Sequence, residues 1–436
     1  LSLINLEIMK PLLNLILRNK NIIFLLIASF FYFIANAFLQ KFIAENFGAN
    51  GLLEFNYAFN LLTILLAVAC FGSETALVRQ SIFFETKNIS GFNDLYSTVS
   101  FFGLVLSIPF LVIFYFNYFN TNTSIIFLSL LIVFSAFFIQ FLRIQFLKNS
   151  FGYILQIIQF VIFLILIFLN YFVENPNRNT FFIFLIFSYL VTYFFILVIF
   201  FLFKPFNFKG LPIPFPKNLN DPQQINKIKT VIKIASMTLI SNIFFNLSEI
   251  LLRDIALANG YTVDFANVEA YIRITSWWLG MGIALISFFY FPFFTKRISE
   301  GKLTSNTYAL KNIFPAFFGL SILGYIFSLL AFEFIYGSLF KLDFLILLFF
   351  VFSGLSKLIG ISFLNLHLIE LRVKIVIIGE FVMSCLIVVI FYFLFIFSFE
   401  FSVNLFSKIY FLVNILFMLF MMISRSLTKK YQIDHE

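Results

Sequence analysis

The stretch "IIFLLIASFFYFIANAFLQ", residues 22–40, contains no charged side chain and is long enough to cross a bilayer, which takes about 20 mostly apolar residues as a helix. Four polar residues interrupt it, Ser29, Tyr32, Asn36 and Gln40. Their steps of three or four place them on one helical face. Because a polar side chain in lipid usually faces protein or water, the stretch predicts a transmembrane helix with an inward-facing polar face.

The composition extends this conclusion to the whole chain. Hydrophobic residues make up 62% of the 436 residues and charged residues 11%, against about 25% in soluble domains. We therefore predict an all-α polytopic membrane protein. Twelve segments qualify as transmembrane helices: 22–40, 56–78, 95–116, 124–142, 153–173, 180–203, 235–256, 268–291, 311–332, 343–366, 375–397 and 403–423.

Lysine and arginine positions predict the orientation, since cytoplasmic loops of membrane proteins are enriched in both. With a cytoplasmic N-terminus, 22 of the 29 basic residues fall on the inside and six on the outside, and Lys357 lies within a span. The protein is thus expected to be multi-pass in the bacterial inner membrane, with both termini cytoplasmic. Membrane orientation accounts for the net charge of +9, so no nucleic-acid partner is predicted.

A proline- and lysine-rich stretch, 204–233, is the longest polar connection and divides the twelve spans equally. Proline clusters act as semi-rigid linkers. We predict an N-terminal six-helix bundle (1–203), a cytoplasmic linker (204–233), and a C-terminal six-helix bundle with a short cytoplasmic tail (234–436). Two bundles of six spans are typical of transporters built from repeats.

Four further spans carry polar or small residues at helical spacing, which places each set on one face. They are Asn56, Asn60, Thr63, Ala67, Cys70 and Glu74 in the second span, Thr238, Asn242, Asn246, Glu249 and Arg253 in the seventh, Glu269, Arg273, Ser276 and Gly280 in the eighth, and Ser353 and Lys357 in the tenth. Glu249 and Arg253 are predicted to pair at i, i+4. Asp254 is expected at the outer interface or as a helix-end partner.

Small polar residues on such faces also pack membrane helices together, which is the simpler interpretation for Ser, Thr, Asn and Gly. Charges favour a functional interpretation, because one at the bilayer centre costs about 2.5–3.5 kcal/mol on insertion scales. Arg253 and Arg273 could instead extend to the outer interface, and Arg79 could be an inner-interface anchor.

The polar faces together predict a cationic cleft between the two bundles, suited to a phosphate or diphosphate headgroup. The candidate residues are Arg253, Arg273, Lys357 and Arg79 for substrate binding, Glu74, Glu249 and Glu269 for ion coupling or as counter-ions, and Asn36, Asn60, Asn242 and Asn246 as polar lining. No metal site is predicted, because the two cysteines are far apart and the two histidines lie near predicted cytoplasmic ends.

Residues 17–80 resemble the opening of a known family, with a basic lead, a first span, "FGANG" at 47–51, and a second span ending in Gly72 and "LVR" at 77–79. "WWLGMGIALISFFYFPFFTKRISEGK", 277–302, resembles that family's eighth span and its exit, although "TVDFANVEA" at 262–270 lengthens the approach to it. The family is the polysaccharide-transport, O-antigen flippase (Wzx-like) branch of the MOP (MATE-like) superfamily.

This resemblance implies a flippase that moves undecaprenyl-diphosphate-linked oligosaccharide to the outer leaflet by alternating access, working with other polysaccharide-assembly proteins among membrane lipids. It implies no cofactor and leaves open coupling to a proton or sodium gradient. Two alternatives remain: a MATE-like exporter of cations and drugs, whose substrates would favour an acidic cavity, and a membrane O-antigen polymerase or ligase. Enzymes of the second kind carry a large outer loop, whereas the predicted outer loops here are short, so no enzyme activity is expected.

Overall fold

The computed structural model describes residues 20–86, 92–118, 123–148, 153–173, 176–203, 222–300, 305–370, 372–396 and 401–433, and all regular structure in these ranges is helical. The helices are α1 (Lys20–Ala69), α2 (Glu74–Thr86), α3 (Phe92–Tyr118), α4 (Thr123–Lys148), α5 (Tyr153–Tyr171), α6 (Arg178–Phe203), α7 (Pro222–Ala258), α8 (Thr262–Leu285), α9 (Phe291–Ser299), α10 (Asn306–Tyr336), α11 (Phe344–Ile369), α12 (Val373–Ile396) and α13 (Val403–Ile433). A π-helical turn, Ile286–Tyr290, joins α8 to α9.

Ten helical segments in the described ranges are long and apolar enough to cross a membrane. One of them, Ile23–Ala69, is 47 residues long and contains the predicted first span and most of the second. The predicted eighth span coincides in sequence with α8 and the π-helical turn, which are not among these ten segments. The prediction of an all-α multi-pass membrane protein is confirmed.

The outer loop predicted at 41–55 is wrong, because helix continues through it. The chain turns at Gly48 alone, where φ is 64° and ψ is −159°. Backbone of this kind is open to glycine and closed to residues with a side chain. One glycine therefore replaces a connecting loop between the first two spans.

The predicted second span ends earlier than the sequence pattern indicated. Helix α1 stops at Ala69, Phe71 and Gly72 adopt positive φ angles of 52° and 55°, and α2 begins at Glu74. The continuous helical face predicted from Asn56 to Glu74 is therefore wrong at its end, because Cys70 lies in the break and Glu74 starts a separate helix. The break is fixed by packing, because the Gly72 backbone lies directly against that of Leu239 on α7.

The approach to the eighth span is also helical rather than a loop. The predicted connection at 257–267 shrinks to a turn around Gly260, and α8 begins at Thr262. Residues 262–270, which lengthened the approach in the sequence, form the first turns of α8. Glu269 and Arg273 thus lie securely within a helix.

Packing groups the chain into two compact units. Unit 1 comprises Leu1–Leu52, Ser150–Phe160 and Leu251–Glu436, and unit 2 comprises Leu53–Asn149 and Val161–Ile250. The two sequential bundles at 1–203 and 234–436, and the cleft between them, stay predictions. Residues 204–221 of the predicted linker lie outside the described residues, and from Pro222 onward the linker sequence is the start of α7.

We expect Gly72→Ala to destabilise the protein by about 2 kcal/mol or more, because the left-handed conformation is strained for alanine and the new methyl group would collide with α7. The thermal unfolding midpoint in detergent measures this. Gly319→Ala is the matched control, since a methyl group there meets no atom within 4 Å. Equal midpoints for the two variants would contradict the packing account of the break.

Candidate functional site

A buried ion pair joins α7 to α8 in unit 1. The Arg253 Nε donates to the Glu269 Oε1 at 2.7 Å, and the Arg253 Nη2 donates to the same oxygen. The side chains of Arg253 and Glu269 are 2% and 6% exposed. The turn at Gly260 makes the pair possible, because it returns the chain so that residues 16 positions apart face each other.

Two more helices of unit 1, α10 and α1, bring polar groups toward this pair, and α8 contributes a second one. Tyr336, near the end of α10, donates its hydroxyl to the Gln40 Oε1 on α1 at 3.4 Å and lies in electrostatic range of Arg273 and Glu269. Arg273 on α8 is half-buried. We call Gln40, Arg253, Glu269, Arg273 and Tyr336 the unit 1 polar cluster.

The position of α8 is fixed by hydrogen bonds from Tyr271. Its hydroxyl accepts from the Asp343 backbone N–H at 2.7 Å, and its ring stacks on Phe350 with centroids 5.6 Å apart. Asp343 also caps the start of α11 by accepting from the Leu345 and Ile346 N–H groups. These contacts hold α8 in register with α11.

Lys357 lies deeper along the same helix pair. It is buried in α11, and its neighbour Leu358 packs so closely on Gly282 of α8 that no Cβ would fit there. Gly282 is nine residues beyond Arg273, which is about 13 Å along a helix. One turn before Lys357, the Ser353 hydroxyl accepts from the Asn414 Nδ2 at 2.8 Å. Three of the four cations predicted for substrate binding, Arg253, Arg273 and Lys357, are therefore spread over the depth of unit 1.

The predicted pairing of Glu249 with Arg253 is wrong, because each side chain has a different partner. In unit 2, Glu249 is half-buried and accepts from the Asn60 Nδ2 at 3.0 Å. An i, i+4 spacing permits a pair without requiring it, and Arg253 bonds to Glu269 instead. The structure thus joins two predicted site residues, Asn60 and Glu249, through a contact that the spacing did not indicate.

The remaining predicted residues lie in buried or half-buried positions. In unit 1, Asn36 is buried one turn before Gln40. In unit 2, the buried Asn246 donates its Nδ2 to the Asn242 carbonyl oxygen at 2.8 Å, a contact within α7. Arg79 is buried in α2, outside the membrane-spanning segments, and burial lowers its pKa to about 10.

Glu74 forms an ion pair that sequence reasoning missed. Its Oε2 lies 3.1 Å from the Arg143 Nη2 of α4, and both side chains are about one-third exposed. One turn before Arg143, the Gln140 Nε2 donates to the Ser73 hydroxyl at 2.8 Å. This bond connects α4 to the break in the helix that precedes α2. The i, i+3 spacing of Gln140 and Arg143 was the available signal. The sequence also did not indicate Tyr336 as a site residue, because a single hydroxyl at the end of a helix forms no spaced pattern with other polar residues.

In the described ranges, no three His, Cys, Asp or Glu side chains come close enough together to hold a metal ion. What the geometry offers is a set of fixed charges and hydrogen-bond donors within spans. Its chemistry suits binding of a polar or charged group. The individual roles of the site residues stay predictions.

Solved structures of MATE transporters are similar to this one along nearly its whole length. An outward-facing multidrug resistance MATE family transporter of the MOP superfamily matches with a TM-score of 0.61 and 14% identity, covering 96% of this chain and 97% of that chain. The fold is that of MATE transporters. An inward-facing transporter of the same description matches with a TM-score of 0.53 and 13% identity, covering 92% of this chain and 94% of that chain. A MATE in the bent conformation matches with a TM-score of 0.58 and 12% identity, covering 95% of this chain and 96% of that chain. No family model matches the sequence, and no curated protein matches it.

The buried pair predicts strong thermodynamic coupling. Arg253→Met or Glu269→Met alone should destabilise the protein by about 3–5 kcal/mol, because each leaves one buried charge without its counter-ion. The double variant should lose much less than the sum. Unfolding midpoints and free energies in detergent measure the cycle.

Arg178 and Glu54 of unit 2 provide the matched control, with 3.0 Å between Nε and Oε2 and side chains 29% and 35% exposed. Coupling there should be about 0–1 kcal/mol, as for exposed pairs. Additive effects at Arg253 and Glu269 would show that the pair is not a coupled unit.

Proposed function

We propose that the protein is a flippase that moves a diphosphate-linked oligosaccharide lipid, of the undecaprenyl type, from the cytoplasmic to the outer leaflet of the inner membrane by alternating access. The MATE fold supports transport, and the similar structures include outward-facing and inward-facing ones. The distribution of basic residues supports cytoplasmic termini.

The charge of the spans in unit 1 carries the choice of substrate. Among the Arg, Lys, Asp and Glu of α7, α8 and α11, the buried ones are Arg253, Glu269 and Lys357. Glu269 is the counter-ion of Arg253, and Lys357 and the half-buried Arg273 add two further positive charges to these helices. Buried positive charge favours an anionic group such as a diphosphate, with which arginine forms strong bidentate hydrogen bonds.

The lipid tail of such a substrate needs no protein pocket. Only the diphosphate and the sugars have to cross the apolar layer, while the hydrocarbon chain stays in the bilayer. A path lined by fixed cations and amides lowers the cost of that crossing, because each charged or polar group moves between protein partners instead of entering lipid.

The second candidate is a MATE-like exporter of organic cations. Unit 2 favours it, since Glu74 and Glu249 are half-buried carboxylates within or beside spans. Glu74, however, is balanced by Arg143, whereas Glu249 has a neutral partner, Asn60. One such carboxylate is also what proton or sodium coupling of a flippase requires.

Purified protein in liposomes separates the candidates. A fluorescent farnesyl-diphosphate-linked disaccharide placed in both leaflets should become accessible to an impermeant quencher at a rate that depends on the protein. A cationic dye such as ethidium should not be moved. The reverse result would establish the exporter and refute the flippase.

Lys357→Ala should slow flipping by about tenfold or more, which corresponds to the loss of about 1.4 kcal/mol of interaction with the diphosphate. Lys357→Arg should retain most of the rate, because it keeps the charge. Initial rates at matched protein abundance measure both effects.

The control is Lys311→Ala, which removes an exposed lysine of α10. Its rate should equal that of the unchanged protein. If Lys357→Ala and Lys311→Ala flip the substrate equally well, Lys357 has no part in binding the diphosphate.

A further inference from the structure

Two adjacent tryptophans on α8, Trp277 and Trp278, are the only tryptophans of the protein. They are 2% and 5% exposed, and neither indole N–H has a hydrogen-bond acceptor in the described part of the chain. A buried indole N–H usually finds a partner, because leaving one unsatisfied destabilises the fold. Two neighbouring cases require an explanation.

Helix packing explains Trp278. Its ring lies between Gly324 of α10 and Gly354 of α11, and a Cβ on either glycine would collide with the indole. The side chain thus acts as a wedge that sets the spacing of three helices. Its unsatisfied N–H is a consequence of this tight apolar fit.

Packing of this kind does not account for Trp277. Its ring contacts Phe33 of α1, with centroids 4.4 Å apart and planes at 88°. Phe33 is half-buried and packs against Phe30 and Phe327, which are 40% and 44% exposed. Trp277 is thus connected to the surface of unit 1 through a group of phenyl rings, here called the phenyl lid (Phe30, Phe33 and Phe327).

Arg273 stands one turn before Trp277 on α8, so the two side chains share one helical face. A guanidinium and an indole N–H are both donors without acceptor capacity. Donors of this kind side by side suit an oxyanion, which accepts several hydrogen bonds and gains most from a charged donor.

We propose that the Trp277 indole N–H and Arg273 together bind a phosphate oxygen of the transported lipid diphosphate after Phe33 of the phenyl lid turns aside. This inference rests on the proposed flippase function and assigns to Trp277 a contact with the substrate. The N–H that lacks an acceptor in this structure receives one in the loaded protein. The binding energy of the diphosphate then offsets the cost of leaving the donor unsatisfied.

Tryptophan fluorescence tests this directly, because each single substitution leaves one reporter. Trp278→Phe keeps only Trp277, whose emission should change saturably on titration with farnesyl diphosphate and stay constant with farnesol. Inorganic diphosphate as a third probe shows whether the phosphates alone suffice. Adding Arg273→Gln to Trp278→Phe should weaken binding by about tenfold to a hundredfold, as expected for the loss of a hydrogen bond from a charged group.

The matched variant is Trp277→Phe, which keeps only Trp278. Its emission should not respond to any of the three probes, and in liposomes its KM for the diphosphate-linked disaccharide should rise by about tenfold. The Trp278→Phe titration keeps the argument testable even where Trp277→Phe folds poorly, because Trp277 itself remains in place.

The outcomes separate this inference from the proposed function. If the disaccharide lipid is flipped while Trp277 emission ignores farnesyl diphosphate, or while Trp277→Phe keeps an unchanged KM, the inference is overturned and the flippase stands. If the unchanged protein flips no diphosphate lipid and accumulates ethidium, the proposed function itself fails, and the inference fails with it.

Discussion

Burial of the Arg253 guanidinium within unit 1 depends on one carboxylate oxygen of Glu269, and much of the local architecture follows from that contact. A charge in so apolar a setting is tolerated only with a bonded counter-ion. The turn at Gly260 brings the two residues together and thereby fixes where α8 starts. Every later residue of α8, including Arg273 and Trp277, takes its depth from that starting point.

Unit 2 accommodates its charges in a different way. Glu74 and Arg143 are each about one-third exposed, so their pairing relieves a much smaller desolvation cost. Glu74 gains this position because the helix breaks just before it, at Phe71 and Gly72. A positive φ at a phenylalanine is strained, and the close packing of Gly72 on α7 is what maintains it. In unit 2, therefore, a strained break in the helix places the carboxylate where it is partly exposed, and its charge does not have to be deeply buried.

Hydrophobic run length and periodicity predicted the membrane class, most spans and most of the residues that share a helical face, Glu74 being an exception. They did not predict partners. Spacing placed Glu249 beside Arg253, yet the bonds run from Arg253 to Glu269 and from Asn60 to Glu249, because tertiary packing decides which neighbouring helix each face meets. The break at Gly72 was missed for the same reason. The roles of the site residues and the division into bundles stay predictions.

The surroundings of α8 differ on its two sides, and this difference bears on how a ligand could reach it. Toward α10 and α11, the Trp278 ring is packed so closely between Gly324 and Gly354 that not even a methyl group would fit beside it. Toward α1, Trp277 packs edge-to-face on Phe33, an aromatic contact without hydrogen bonds. Seven residues further along α1, Gln40 bonds to Tyr336 at 3.4 Å, so α1 is tied there rather than at Phe33. Opening at Phe33 therefore breaks no polar contact of Trp277, whereas opening on the other side would dismantle the helix packing.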